Sequence, residues 1–421
     1  MRSRGSRIWG IAVAVAVVVG GQALPASAAG GALDAGFSGD GRAFTRVGSA
    51  HSAGFDVAVQ NDGRIVVVGA ATVAEHSVFA LVRYNVDGSL DSTFGGDGRV
   101  VTRIGVHASG RGVALQTDGK IVVAGAAWGN GSGRFAAARY LPSGAPDHTF
   151  SQDGTLITSF PGDADAADVA VQSDGKIVLA GSAGGRFALA RYGPAGRLDP
   201  GFGGDGRVLT EMGGGDSFAR GVAIQHDGRI VVVGSAGGRV AVARYGLGGH
   251  LDASFTGDGT ATTEFPRMMS AQGFAVALQS DGAIVVGAQV AGHNGYQFGL
   301  VRYHPSGNLD RSLGGDGRVV TLFADDTESL LYALDIAPDR TIVAGGWQLP
   351  LAGHGKFALA RYTPDHGSLD PTFGGDGRVV TEMRRGRAFG LAFEPDGRIV
   401  AAGESRAHGV QRIAVARYQD S

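Results

Sequence analysis

One motif recurs seven times along this chain at intervals of about fifty-five residues. Its clearest part is a leucine–aspartate pair followed by a glycine-rich turn. It reads LDAGFSGDG from Leu33, LDSTFGGDG from Leu90, PDHTFSQDG from Pro146 and LDPGFGGDG from Leu198. It returns as LDASFTGDG from Leu251, LDRSLGGDG from Leu309 and LDPTFGGDG from Leu369. A fixed period of this size implies a solenoid, a propeller or an array, because one unit alone cannot bury its apolar face.

Each repeat reads as four short strands, a to d. In the first full one, Phe55 to Gln60 is strand a, and Asp62-Gly63 makes a tight hairpin turn. Arg64 to Ala70 is strand b, whose near-continuous apolar run implies burial on both faces. Val78 to Tyr84 is strand c, and Arg99 to Arg103 is strand d. The a–b turn recurs at Asp118-Gly119, Asp174-Gly175, Asp227-Gly228, Asp281-Gly282 and Asp396-Gly397. Asp339-Arg340 departs from it, at an expected cost of about 1 kcal/mol. Helical periodicity is absent, and four strands per unit define a propeller blade.

The strand count predicts how the ring closes. The first strand d, near Arg42 to Arg46, precedes any strand a, and the last strand c, Arg412 to Tyr418, has no strand d after it. The expected fold is therefore an all-β, seven-bladed propeller of four-stranded blades, with the last blade completed by the N-terminal strand. The strings ARY–xxxGxLDxxFGGDGRVVT and VAVQxDGRIVVVG resemble delta-60 repeats, which are found in secreted and surface proteins of bacteria. The resemblance covers residues 33–421 and implies the repeat type and a propeller fold. That family carries no single agreed activity, so it supplies no catalytic residue.

The N-terminus reads differently. Arg2, Arg4 and Arg7 precede an apolar run from Ile8 to Val19 and a small-residue site, Ala26-Ser27-Ala28. This is the layout of a secretory signal peptide over 1–28, leaving a propeller over 29–421; a retained N-terminal anchor is the alternative. Loss of three arginines takes the formal charge from −2 to about −5. A mildly acidic chain with no basic block argues against nucleic acid and anionic lipid. The mature protein is expected to be extracellular and monomeric, with no transmembrane segment. Cysteine is absent, so stability must come from packing rather than disulfides.

The most regular charges read as structural ion pairs. Strand c ends in Arg-Tyr at Arg83, Arg139, Arg191, Arg244, Arg302, Arg361 and Arg417. Aspartates follow at Asp91, Asp147, Asp199, Asp252, Asp310 and Asp370, and ring closure would bring Asp34 to Arg417. Arginine on a packed strand needs an acceptor, and a carboxylate suits its fork. A ring of ligand-binding arginines is the alternative.

Catalytic and metal signals are sparse. Asp163, Asp165 and Asp168 have a spacing that suits oxygen ligation of Ca²⁺, with a solvated loop as the alternative; no other cofactor is expected. Gly403-Glu-Ser405-Arg-Ala407 lacks the strand-to-helix turn of a nucleophile elbow. Asn130-Gly-Ser132 is a glycosylation sequon. The b–c and d–a loops vary in length and chemistry and share one face, whereas the a–b and c–d turns repeat. The variable face carries Trp128, Trp347, His76, His107, His293, Tyr296, His354, Arg267, Asp326, Glu328 and Arg385. Aromatics among hydrogen-bonding groups on held loops suit a glycan or a peptide. Both tryptophans are expected to be partly exposed there. The expected function is non-enzymatic recognition or scaffolding, the alternatives being a hydrolase or lyase at the channel mouth and a purely structural surface protein.

Overall fold

The computed structural model describes residues 30–129, 131–293, 295–324, 327–350 and 353–420. The expected signal segment over 1–28, Asn130 of the sequon and Asp326 lie outside the described residues. Among the described residues, twenty-eight strands form seven four-stranded antiparallel sheets arranged as a β-propeller. Blade 1 is typical, with strand a at Ser52–Val59, b at Ile65–Val73, c at His76–Tyr84 and d at Arg99–Thr102. Strands b and c extend two or three residues beyond their apolar runs, because the hairpin ladder continues after burial ends.

The core lies between blades rather than within them. Ile65 and Val67 pack toward blade 7 while Val66 and Val68 pack toward blade 2. The period-2 alternation of a strand thus sends apolar side chains into two different wedges, which is why strand b is apolar throughout. Each of the seven apolar clusters draws on two adjacent blades. Strands d, at the rim, are only four residues long, which limits exposed edge.

Closure joins the two ends of the chain. Arg42–Thr45 pairs antiparallel with the last strand, from Arg42↔Ala416 to Thr45↔Ile413, completing blade 7. The Asp34 N–H donates to the Arg417 carbonyl at 2.9 Å.

The Arg-Tyr dipeptides sit at the blade boundaries. Arg83 lies 2.8 Å from Asp91, Arg139 2.8 Å from Asp147 and Arg191 2.9 Å from Asp199. Arg244 lies 2.9 Å from Asp252, Arg302 2.7 Å from Asp310, Arg361 2.9 Å from Asp370 and Arg417 2.7 Å from Asp34. The same guanidinium reaches forward to the next blade: Arg139 donates to the Pro194 carbonyl and Arg244 to that of Pro305. The tyrosine reaches back. The Tyr140 hydroxyl donates to Thr102, and Tyr192 to Thr158, both at 2.7 Å. The arginine also lies over the phenylalanine of the Leu-Asp unit, as Arg139 does over Phe150 at 4.7 Å.

Arg340, which replaces the turn glycine, takes a φ of 73° and forms a 2.6 Å ion pair with Asp281 of the preceding blade. No helix among the described residues is long and apolar enough to cross a membrane.

Candidate functional site

The channel wall is set by one irregularity repeated in every blade. Strand a carries a β-bulge that leaves one extra residue against strand b. In six blades strand b supplies a glycine there, blade 5 having Ala288: at Gly125 a Cβ would lie 1.9 Å from the Ser109 carbonyl oxygen. The bulged residues are Phe55, Arg111, Ala167, Arg220, Phe274, Tyr332 and Phe389, in blade order. All of them line a channel cavity of about 320 Å³.

The wall has two chemically distinct sides. Phe274, Tyr332, Phe389 and Phe55 form a continuous aromatic arc over blades 5, 6, 7 and 1, with centroid separations of 5.1, 5.0 and 5.7 Å. Arg111, Ala167 and Arg220 hold the other side. Arg111 pairs with Asp165 at 2.9 Å. The Arg220 guanidinium lies 4.3 Å from the Phe274 ring centroid, and its buried Nε has no hydrogen-bond partner. Burial lowers the Arg220 pKa; Tyr332 offsets part of that, and Arg111 and Asp165 act in opposite senses.

The variable face is notched over blades 3 and 4. Strands b there, Ile177–Ala183 and Ile230–Ala236, have seven residues, whereas Ile121–Gly129 of blade 2 and Ile284–Gly292 of blade 5 have nine. Two residues fewer lower the rim by about 7 Å. The cause is in the sequence: both blades turn through the same GSAGGR string, 181–186 and 234–239, whose paired glycines make a tight two-residue loop at positive φ. The resulting groove encloses about 670 Å³. Trp128 of the taller blade 2 stands at one end, Phe218 of blade 4 lines it, and Arg111 and Arg220 open it into the channel mouth.

Trp128 is 37% exposed and stacks at 23° against His107, whose ring lies 5.4 Å from that of His76. Trp347 departs from the expected exposure. It is 7% exposed, packed in blade 6 beneath Arg387, whose guanidinium lies 4.7 Å from its ring. The arginine at the start of the next strand a covers the indole. His293 and Tyr296 of blade 5, His354 of blade 6 and the exposed Arg267 between blades 4 and 5 do not line the notch.

The three aspartates with Ca²⁺-like spacing are engaged separately. Asp163 accepts the Gly133 N–H, Asp165 pairs with Arg111, and Asp168 accepts the N–H groups of Val169 and Val222. Among the described residues, no group of three or more His, Asp or Glu side chains is placed to hold a metal ion. Asp56 matches Asp168, its two oxygens accepting the Val57 and Val113 N–H groups and so linking blade 1 to blade 2. Burial, then the Asp168 charge, push the Asp56 pKa up to about 8, against the pull of those two N–H bonds. Burial takes Asp168 up to about 6.

Sequence reasoning placed Trp128, His76 and His107 on the variable face, where the three rings lie side by side. It missed Arg111, Arg220 and Phe218, which lie in strands. The available signal was the shortened GSAGGR hairpin, repeated in only two blades.

A seven-bladed propeller with a notched face and a two-sided channel defines a fold class, and the sequence assigns it to a family. The chain belongs to the β-propeller family described as a domain of unknown function (DUF5122), which matches residues 60–94, 116–150, 172–202, 225–255, 279–313, 337–373 and 394–419. A search of curated proteins finds no match. Similar solved structures include a protein from Lactobacillus plantarum, 15% identical over 85% of this chain and 96% of that one, with a TM-score of 0.47. Sqt1 from Chaetomium thermophilum is 14% identical over 90% of this chain and 97% of its own, with a TM-score of 0.48. A polysaccharide lyase, an ulvan lyase, is 11% identical over 90% and 96% respectively, with a TM-score of 0.43.

Proposed function

We propose that the protein is a secreted, non-enzymatic recognition or scaffold propeller of the delta-60 type, binding a glycan or peptide through its variable face. One observation carries the reading: the exposed indole of Trp128 at the end of a groove that opens into the channel mouth. A concave site with aromatic walls and a few polar groups is the usual form of a ligand pocket. Export rests on the sequence of residues 1–28.

The hydrolase or lyase alternative draws on Asp56 and Asp168, whose raised pKa values are of the kind catalytic acids show. Each of their four oxygens already accepts a backbone N–H. They are placed to hold neighbouring blades together, which favours recognition over catalysis.

Glycan and peptide arrays probed with the protein test the reading. A ligand should bind, quench or shift tryptophan fluorescence, and be lost in Trp128→Ala. A ligand whose affinity survives that change and falls on altering the c–d turns would place the working surface on the other face.

A further inference from the structure

We propose that the notch binds an acidic saccharide, a carboxylate seated on Arg220 and a sugar ring against Trp128. This rests on the reading of the notch as a ligand site and names its ligand class.

Arg220 is the starting point. Arginines drawn into a fold are normally paired. The strand-c arginines have their aspartates, and Arg111 has Asp165 across the same channel mouth. Arg220 has a ring beneath it and no ion pair or hydrogen bond among the described residues. None of the nearby carboxylates is at ion-pair distance from it: Asp165 pairs with Arg111 through Oδ2 and leaves Oδ1 unbonded, Asp163 accepts the Gly133 N–H and Asp168 accepts two backbone N–H groups. A guanidinium held over an aromatic ring thus lines the groove where it meets the channel mouth, with no ion-pair partner of its own among the described residues. A carboxylate fits that fork with two parallel bonds.

The aromatic groups set the rest of the ligand. Trp128 and Phe218, 37% and 44% exposed, offer flat apolar surface along the same groove. Such faces suit a body with one apolar side and a polar rim, which a pyranose ring has. Trp128 is also the wall of a second cleft of about 440 Å³, lined by Arg134. The order cation, indole, cation across the two clefts matches a chain of sugars that each carry a negative charge.

The test uses tetramers of galacturonate, mannuronate and guluronate, each beside its fully methyl-esterified form. They are titrated into the protein with fluorescence and calorimetric readouts. At least one free acid should bind about tenfold or more tightly than its ester. That preference should shrink with added salt. Arg220→Gln should remove the preference without lowering the melting temperature, and Arg220→Lys should keep part of it. Equal binding of acid and ester, no binding by any of the three acids, or an unchanged preference in Arg220→Gln overturns the proposal. A tetraglutamate peptide that binds as tightly and depends on Arg220 overturns the saccharide assignment. Trp128-dependent binding of neutral ligands with no effect of Arg220 defeats this inference alone. The absence of any Trp128-dependent ligand on the arrays defeats the broader reading.

Discussion

The Arg-Tyr dipeptide at the end of each strand c works in two directions, arginine forward to the next blade and tyrosine back to the one before. The arginine's carboxylate partner was legible, because it follows eight or nine residues later in six repeats and ring closure supplies it in the seventh. The tyrosine's partner was not: Thr158 precedes Tyr192 by 34 residues, and both are ordinary strand residues. Arg139 and Asp147 are 4% and 1% exposed, so Asp147→Asn leaves a buried cation uncompensated. It should cost about 3–5 kcal/mol in denaturant unfolding. Asp62→Asn, which removes an exposed partner of Arg64, should cost about 1 kcal/mol or less. Titration gives a second expectation. A carboxyl whose folded pKa is raised contributes stability that is complete below its unfolded value and lost as pH rises through the folded one. From an ordinary 3.8, that loss runs through about 6 for Asp168 and about 8 for Asp56. Asp147 runs the other way: burial pushes it up, but Thr149 and Arg139 hold it below its ordinary range, so its contribution fades as pH falls through that lower value. Melting temperatures from pH 3 to 9 should fall at both ends, and Asp56→Asn should flatten the alkaline limb while leaving the acid one.

At the scale of the element, the strands were legible and their irregularities were not. Apolar runs bounded by Asp-Gly turns marked strands a to d in each repeat. The bulge in strand a leaves no compositional trace, since one added residue alters neither the run nor the turn. Yet it decides which side chain meets the channel, and it is why Phe274 and Arg220 became wall residues. Strand length was equally quiet: losing two residues from a hairpin looks like ordinary loop variation until neighbouring blades are compared. The two tryptophans show the difference this makes. Trp128 ends a strand beside shortened blades and stands free, whereas Trp347 lies within a covered hairpin. Trp347→Ala should therefore cost about 3–5 kcal/mol of stability. Trp128→Ala should change the melting curve little and act on ligand binding instead. Far-ultraviolet melts of the two variants, run beside the parent, check the split.

At the scale of the whole molecule, one strand pairing turns an open row of blades into a ring. The complementary fragments at the two ends made that closure legible from strand counting alone. The junction is also the most heavily charged of the seven. Arg417 meets Asp34 at 2.7 Å and Glu394 at 3.4 Å, while Arg398 meets Asp34 at 3.1 Å and Glu394 at 2.7 Å. Deleting residues 29–47 should remove strand d of blade 7, strand Arg417 without Asp34 and expose the edge of the last strand c. Aggregation or a melting temperature well below the parent is the expected result, and light scattering with a thermal melt reads both. An unchanged, monodisperse protein would mean that the ring holds without its N-terminal strand. The pairing of Arg42 with Ala416 also sets a clock. Six blades can form from contiguous chain, but the seventh waits for residues 410–418 to find residues 42–45. Closing so long a loop costs entropy that only the finished blade returns. A chain that has emerged only as far as residue 409 holds six blades in an open row, and the ring exists only once strand 410–418 has met strand 42–45.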